Sequence, residues 1–360
     1  MRYASCSFPT LPASRRPALF GLAALGLLSL TALPAHAQTQ DLFVSNQSGS
    51  TISHFAGTGL GIFSTTATSL SGVDAPNGLV FDAHGNLFAA SFYSSITEFS
   101  FTPGVGTTPG TYGAGKVVVN GPESASGMAF DPFGNLFIGS NHGNNITEFA
   151  AGTTPGTFGT GKVVETGLSY PIGVVFDTRG DLFVANGVGD TISEFAAGAT
   201  PGTFGTPTLL TGGGQNEPYD LAFDAYGNLF TSNAQGGTIT EFVFTPGAGT
   251  TPGTFATGKV AETGLDSPAA LAFDARGDLF AGSYNGGTIT EFAAGTTPGT
   301  FGTGKVVETG LSRPSFLAFG PLSSAPVPEA STTVSLGLLL MLGLGGMVVA
   351  AKRKKASAGV

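Results

Sequence analysis

Residues 130–149 read FDPFGNLFIGSNHGNNITEF, and variants of this phrase occupy residues 81–99 (FDAHGNLFAASFYSSITEF) and 176–195 (FDTRGDLFVANGVGDTISEF). The LF dipeptide at its centre recurs six times, with its phenylalanine at positions 43, 88, 137, 183, 230 and 280. An I-[ST]-[EH]-F element follows each copy, starting at positions 52, 96, 146, 192, 239 and 289. A period of about 46 residues indicates an architecture built from one repeated supersecondary unit.

Each repeat predicts four short β-strands. The first strand (xLAFD) and the second (NLFxAxN) are apolar without clean alternation, which is typical of strands buried on both faces. The third (TITEF) and the fourth (KVVET) are rich in β-branched residues. Between the first two strands, a D-x-x-G-[ND] sequence predicts a tight turn, in which the aspartate bonds the backbone and the glycine takes a positive φ. We therefore interpret the repeated aspartates as turn residues rather than as a carboxylate array.

Six such units predict an all-β fold, a six-bladed β-propeller of four-stranded blades. The repeats begin at Asp41 with a second-strand sequence and end at Phe319 with a first-strand sequence. We expect these two strands to share one blade, because that closure leaves no free sheet edge between the ends. The predicted propeller spans residues 38–322.

The repeat resembles NHL-type repeats over residues 41–320, through the succession P-x-x-LAFD, GNLFVAN and TITEF. The resemblance implies a scaffold shared by enzymes, ligand-binding modules and interaction platforms. Function must therefore be argued from the site rather than from the fold.

The first 37 residues have the pattern of a secretory signal peptide. Arg2, Arg15 and Arg16 precede and flank an apolar run, and the segment ends in Ala35-His36-Ala37, an A-x-A cleavage pattern. We expect the mature chain to be exported. Cys6, the only cysteine of the sequence, lies in this segment, so the mature chain has no disulfide and no thiolate chemistry.

The other end predicts a sorting tail. A linker over residues 323–333 precedes an uncharged apolar stretch, residues 334–351, which is long enough for a transmembrane helix. A basic tail over residues 352–360 follows and would stay on the cytoplasmic side. Its stop-transfer cluster comprises Lys352, Arg353, Lys354 and Lys355.

This tail resembles PEP-CTERM sorting signals, which combine a short Pro-Glu motif, an apolar helix and a basic cluster. The motif residues are Val327, Pro328, Glu329 and Ala330, and Ala330 stands where that family commonly has a second proline. The resemblance implies an exosortase-type processing enzyme as a partner. It also implies an initial membrane anchor, with the body on the outer side, and delivery to the envelope or the extracellular matrix.

The body of the chain is strongly acidic. Residues 41–326 contain 22 acidic and 7 basic residues, a net charge of 22 − 7 = 15 negative. Nucleic-acid binding requires clusters of Lys and Arg, so we expect no nucleic-acid partner.

The loops that vary between repeats are the candidate binding surface. On a propeller, the loops from a fourth strand to the next first strand share one face with the loops between second and third strands, and loops on a rigid scaffold commonly carry function. Tyrosine rings with asparagine amides suit a sugar or a peptide, so exopolysaccharide or surface proteins are the expected partners. The ligand-binding candidates are Tyr93, Asn141, His142, Tyr170, Asn186, Glu217, Tyr219, Asp220, Asn233 and Tyr284.

Two enzyme alternatives stay open at this point. Glu217 and Asp220, in the unrepeated QNEPYD segment, are candidate oxygen ligands for Ca²⁺, as in gluconolactonase-like propellers, whose early Glu-Gly-Pro signature is absent. His142 is the candidate base of a streptogramin-lyase-like site. A purely structural matrix role is the third possibility. The sequence favours a surface binding or scaffold module with no required cofactor over a metal-dependent lactonase or lyase.

Overall fold

The computed structural model describes residues 38–59, 62–104, 109–247 and 253–324. The predicted signal peptide, the sorting motif, the apolar stretch and the basic tail lie outside these ranges. Within the described ranges, no helix has both the length and the apolar character needed to cross a bilayer.

Six four-stranded antiparallel sheets form the blades of the propeller. The innermost strands of successive blades contact one another in a closed ring around a central channel, so the predicted six-bladed propeller is confirmed. We number the blades 1 to 6 and the strands of each blade first to fourth, from the channel outward.

The strand bounds repeat closely from blade to blade. Blade 1 consists of Pro314–Phe319, Leu42–Asn46, Thr51–Phe55 and Thr68–Leu70. Blade 2 consists of Pro76–Phe81, Leu87–Ser91, Ser95–Phe99 and Lys116–Asn120. Blade 3 consists of Ala125–Phe130, Leu136–Ser140, Asn145–Phe149 and Lys162–Thr166. Blade 4 consists of Pro171–Phe176, Leu182–Asn186, Thr191–Phe195 and Thr208–Leu210. Blade 5 consists of Pro218–Phe223, Leu229–Asn233, Thr238–Phe242 and Lys259–Thr263. Blade 6 consists of Pro268–Phe273, Leu279–Ser283, Thr288–Phe292 and Lys305–Glu308.

Short elements accompany the blades. Three hairpins extend the outer edges, pairing Gly57–Gly59 with Ile62–Phe63, Phe101–Thr102 with Thr111–Tyr112, and Phe244–Thr245 with Thr254–Phe255. Gln47–Gly49 forms one 3-10 turn. The segments Gln38–Thr39 and Ser323–Ser324 pair with each other.

The ring closes as the sequence predicts. In blade 1 the first strand comes from the end of the described chain and pairs with Leu42–Asn46, with Leu42 opposite Phe319 and Val44 opposite Leu317. The Ser45 hydroxyl accepts a 2.9 Å hydrogen bond from the Phe316 N–H and lies 2.9 Å from the Ser315 hydroxyl. The two ends of the propeller are thus joined by strand pairing and a buried polar contact.

The repeated aspartates hold the turns between first and second strands. Asp131 Oδ1 accepts hydrogen bonds from the N–H groups of Phe133 and Asn135, and its Oδ2 accepts one from Asn135 Nδ2. Gly134 takes the positive φ that the turn requires. Asp82, Asp177, Asp224 and Asp274 make the corresponding Oδ1 bonds in their own turns.

A repeated aromatic triad joins each blade to the next. The LF phenylalanine of one blade contacts the last phenylalanine of the following first strand and an aromatic ring between the following third and fourth strands. At the boundary of blades 3 and 4, the Phe137 ring centroid lies 4.9 Å from that of Phe176 and 5.7 Å from that of Phe204. Edge-to-face aromatic pairs of this kind stabilise a core beyond their buried area. The other triads are Phe43/Phe81/Tyr112, Phe88/Phe130/Phe158, Phe183/Phe223/Phe255, Phe230/Phe273/Phe301 and Phe280/Phe319/Phe63.

Candidate functional site

Six residues in the left-handed backbone conformation surround the mouth of the channel. One precedes the first strand of each blade, on the face that also carries the turns between second and third strands; we call this the upper face. Their φ values lie between 43° and 60°. The six residues are Arg313, Ala75, Ser124, Tyr170, Glu217 and Ser267, for blades 1 to 6.

Hydrogen bonds fix each of these six residues. Its carbonyl oxygen accepts a bond from the residue that follows the second strand of the same blade, for example Ala234 N–H to Glu217 O at 2.9 Å and Tyr284 N–H to Ser267 O at 3.0 Å. Three of them are also held from the preceding blade through their N–H groups. Left-handed non-glycine residues persist only where the surrounding structure determines them. The upper face is therefore rigid at the level of its backbone.

A cavity of about 820 Å³ opens on this face at the channel mouth. Every blade or its connecting loops contribute to its wall. Six of the ten candidate residues line it, namely Tyr93, Asn141, Tyr170, Glu217, Tyr219 and Tyr284. The remaining lining residues are Gln47, Ser48, Ser50, Asp74, Ala75, Asn77, Phe92, Ala234, Gln235, Ser267, Ala269 and Asn285.

Apolar side chains lie beneath the cavity. The Tyr219 and Phe316 rings are 6.0 Å apart between centroids, and Tyr219 packs against the same hydrophobic cluster as Ile172. Burial raises the pKa of the Tyr219 hydroxyl, and the neighbouring Tyr284 and Tyr170 act in the same direction. Tyr219 therefore presents a neutral hydroxyl and a ring at the bottom of the cavity.

The Tyr284 ring is held in place from two sides. Its hydroxyl donates a hydrogen bond to Gln47 Oε1 in blade 1. The Arg313 guanidinium lies over its face, 5.4 Å from the ring centroid, which is a cation–π distance. The wall formed by blades 6 and 1 thus has a fixed aromatic surface.

Two lining asparagines carry buried oxygen atoms that the protein does not satisfy. Asn77 and Asn141 are 1% and 4% exposed, and no described group bonds to the Oδ1 atom of either residue. Asn77 Nδ2 donates to the Ala125 carbonyl at 3.4 Å and to Ser126 Oγ at 3.2 Å. Unpaired buried acceptors are uncommon because they carry a desolvation penalty, and these two oxygens add negative potential to the cavity wall.

Four candidate residues do not line the cavity. His142 is exposed and is not a lining residue, with Nδ1 2.7 Å from Ser124 Oγ and its ring 5.8 Å from that of Tyr170. Asn186 and Asn233, which the sequence places in loops, are the buried last residues of second strands. Their Nδ2 groups donate to Thr191 and Ser193 and to Thr238 and Thr240, respectively. The fourth is Asp220.

Asp220 is buried in the first strand of blade 5. Its Oδ1 accepts the Leu221 N–H at 2.8 Å, and its Oδ2 accepts the Leu271 N–H of blade 6 at 3.0 Å. Burial raises the pKa of the carboxyl group to about 8, against the opposing effect of these two backbone bonds. Asp220 and Glu217 therefore do not converge on one cavity, and the described residues contain no group of three or more acidic, histidine or cysteine side chains suited to a metal ion.

Sequence reasoning missed the ring of left-handed residues. Four of its six members, Ala75, Tyr170, Glu217 and Ser267, line the cavity. Ala, Tyr, Glu and Ser give no residue-type signal for a positive φ. The only regular signal is their position directly before each first strand, which begins with proline in five of the six blades.

No protein-family model and no curated protein matches the chain. Solved structures match its fold. A chain of a nidogen/laminin complex is 18% identical at a TM-score of 0.57, with 79% of this chain and 98% of that chain covered. A putative 6-phosphogluconolactonase from Bacteroides uniformis is 16% identical at a TM-score of 0.56, covering 79% and 99%. A streptogramin B lyase is 12% identical at a TM-score of 0.52, covering 81% and 95%. At these identities the similarity shows the propeller fold alone.

Proposed function

We propose that this propeller is a glycan-binding module that holds its ligand in the upper-face cavity. One observation carries the proposal: a single cavity brings together four tyrosine rings, Phe92 and the carboxylates of Asp74 and Glu217. Its volume falls within the range of about 300–1,000 Å³ that is usual for small-ligand sites.

The chemistry of the wall suits a sugar. Flat aromatic rings bury the apolar C–H faces of a pyranose, and the Asp74 and Glu217 carboxylates accept hydrogen bonds from its hydroxyl groups. Tyr93 offers the most accessible ring, with 68% of its surface exposed. Because the backbone bonds around the mouth already hold this arrangement, little ordering of the protein opposes binding.

The enzyme alternatives receive less support from the same geometry. Glu217 lines the cavity whereas Asp220 points its carboxylate at backbone N–H groups. His142 does not line the cavity, and its Nδ1 lies 2.7 Å from Ser124 Oγ. A binding role uses the residues that the cavity brings together.

We further propose that the module is exported and displayed with its cavity facing outward. The chain enters the blades of the propeller at Leu42 and leaves them after Phe319. Both points lie at the strand ends that carry the Asp-Gly turns in the other blades, on the face opposite the cavity. Just outside the blades, Gln38–Thr39 pairs with Ser323–Ser324. Attachment through the predicted C-terminal segment would therefore leave the cavity open to the surroundings.

Glycan-array binding by the purified protein tests the glycan proposal, with Tyr93→Ala as the test variant. Tyr226→Ala is the matched control, because Tyr226 is 66% exposed in a first-to-second-strand turn on the opposite face. Loss of an aromatic contact at the centre of an interface costs about 1–2 kcal/mol, so we expect roughly tenfold weaker binding for Tyr93→Ala only. Absence of any glycan ligand, or equal effects of the two variants, would refute the proposal.

A further inference from the structure

The charged groups and the buried unpaired groups of the cavity are all acceptors. Asp74 and Glu217 are its charged lining residues, and none of the described residues that line it is Lys, Arg or His. Asn77 Oδ1 and Asn141 Oδ1 add two unpaired acceptors. A ligand that satisfies this set must bring hydrogen-bond donors and is favoured by positive charge.

The orientation of the Asn77 amide follows from its neighbour. Nδ2 faces the carbonyl oxygen of Ala125, which can only accept a hydrogen bond. An exchanged amide would place oxygen against oxygen. The unpaired atom of Asn77 is therefore the acceptor.

The previous blade holds the Asp74 carboxylate and the Glu217 backbone. Asp74 Oδ1 accepts a 3.0 Å bond from the Ser50 hydroxyl. The Glu217 N–H donates to Asp190 Oδ1 at 2.7 Å, which places a further negative charge behind Glu217. The Arg313 guanidinium lies over the Tyr284 ring rather than among the lining residues.

The aromatic surface favours the same kind of ligand. The face of a tyrosine or phenylalanine ring is negative and attracts cations, and Tyr93, Tyr170, Tyr219 and Phe92 line the cavity, whereas Tyr284 already carries the Arg313 guanidinium over its ring. Carboxylates, unpaired amide oxygens and ring faces together form an electronegative site. They disfavour anionic sugars such as uronic acids by like-charge repulsion.

We infer that the cavity selects amino sugars, that is, glycans with a free protonated amino group. This inference rests on the proposed glycan-binding function and narrows its ligand class. The ammonium group contacts the carboxylate of Glu217 or Asp74, while the sugar ring stacks on tyrosine. Acetylation of the amine removes the charge and the contact.

Calorimetric titration of the full-length protein with two matched oligosaccharides tests the inference. The probes are a β-1,4-linked glucosamine tetramer and the N-acetylglucosamine tetramer of the same linkage. We expect the free-amine form to bind at least about tenfold more tightly, as charge-assisted hydrogen bonds imply. The ratio of the two affinities should fall at high sodium chloride, because salt screens the charge contribution.

Charge-neutralising variants test which carboxylates cause the preference for the free amine. Glu217→Gln and Asp74→Asn keep the side-chain shape and an acceptor oxygen, and each should reduce the ratio of affinities several-fold. Glu165→Gln makes the same charge change on the fourth strand of blade 3, outside the cavity, and should leave the ratio as in the wild type. Equal thermal midpoints of the variants would show that the fold is retained.

The possible outcomes distinguish a failure of this inference from a failure of the proposed glycan-binding function. If the acetylated or a uronic-acid oligomer binds as tightly as the free amine, or if Glu165→Gln lowers the ratio as much as Glu217→Gln, the inference is wrong and the glycan-binding function stands. The same holds if neither tetramer binds while other glycans bind on the array. If no glycan binds at all, the proposed function fails and the inference with it.

Discussion

Asp190 holds the backbone of Glu217 across the boundary between blades 4 and 5. The Glu217 N–H donates to Asp190 Oδ1 at 2.7 Å, and both residues have a positive φ. Asn144 and Tyr170 repeat the arrangement one boundary earlier, at 2.8 Å. The backbone of a cavity-lining residue is thus held by a side chain that does not line the cavity.

Asp190→Gly should weaken both this boundary and ligand binding. Glycine occupies the equivalent position in blades 5 and 6, as Gly237 and Gly287, so the φ of 50° is tolerated while the acceptor is lost. The bond is exposed to solvent, where a hydrogen bond contributes about 0.5–1.5 kcal/mol, and we expect a loss of unfolding free energy in that range together with faster ligand dissociation. Urea denaturation and surface plasmon resonance measure the two effects.

Asp190→Asn is the matched control for that variant. Asparagine keeps an acceptor oxygen and tolerates the left-handed conformation, as Asn144 does in blade 3. It should retain most of the stability and the dissociation rate of the wild type. If Asn and Gly behave alike at this position, the hydrogen bond does not position Glu217.

The aromatic triads make a prediction about stability. Phe137 is fully buried between blades 3 and 4, and Phe137→Ala should lower the unfolding free energy by about 3–5 kcal/mol through lost burial and a residual cavity. Phe133→Ala removes the same atoms from a ring that is 67% exposed in a nearby turn, and it should change the free energy by less than about 0.5 kcal/mol. Equal losses in urea denaturation would contradict the role of the triad.

Asp220 makes stability depend on pH. Its pKa is about 8 in the folded protein against an ordinary value of 3.8, so between these pH values the unfolded chain binds fewer protons than the folded chain. The unfolding free energy should therefore fall as pH rises through this window, by up to about 1.4 kcal/mol per pH unit for this one group. Burial also raises the pKa values of Glu148, Glu194 and Glu241, which gives the same sign.

Asp220→Asn isolates the contribution of Asp220 because asparagine does not titrate. Urea denaturation of both proteins at several pH values from about 4 to about 8 should give a shallower pH dependence for the variant. Parallel pH profiles would show that Asp220 is not protonated in the folded state at neutral pH.

Calcium should leave the melting temperature unchanged. Ca²⁺ requires six to eight oxygen ligands, and both Asp220 oxygens already accept backbone N–H groups. A melt in EDTA followed by one with added calcium measures this directly. A site saturated at about 100 times its dissociation constant would add about 2.7 kcal/mol, so a clear rise in melting temperature would restore the metal-site alternative.

The fold could be predicted from the sequence because it depends on local patterns. Six repeats of one phrase, the Asp-Gly turns and the second-strand phase at Asp41 determine the blade count and the closure, and the structure confirms these. The hairpin of Phe101–Thr102 with Thr111–Tyr112 lies outside the four strands that each repeat predicts. Tyr112 completes an aromatic triad with blade 1, a contact between blades that no local pattern reveals.

The site was less predictable because the direction of each side chain decides whether its residue lines the cavity. Tyr219 and Asp220 are adjacent, yet Tyr219 lines the cavity and Asp220 is bonded to the backbone of blade 6. Asn141 lines the cavity, whereas Asn233 pairs with threonines on the neighbouring strand of its own blade. Loop membership indicated the correct face of the propeller, but it could not separate residues whose side chains point toward the ligand from those that hold the strands.

Closure by the last strand makes the whole propeller depend on residues 314–319. A chain ending at Arg313 lacks the first strand of blade 1, which exposes the edge of Leu42–Asn46 and removes the Phe319 ring, 5.0 Å from Phe280 of blade 6. We expect this chain to lose its cooperative thermal transition, since blade 1 loses its innermost strand and blade 6 loses the contact with Phe319. A chain ending at Ser324 keeps the strand and should unfold cooperatively.

A synthetic peptide of residues 314–324, added in trans, should restore the transition to the shorter chain. A shorter chain that unfolds cooperatively at the midpoint of the longer one would show that the ring is stable without this strand.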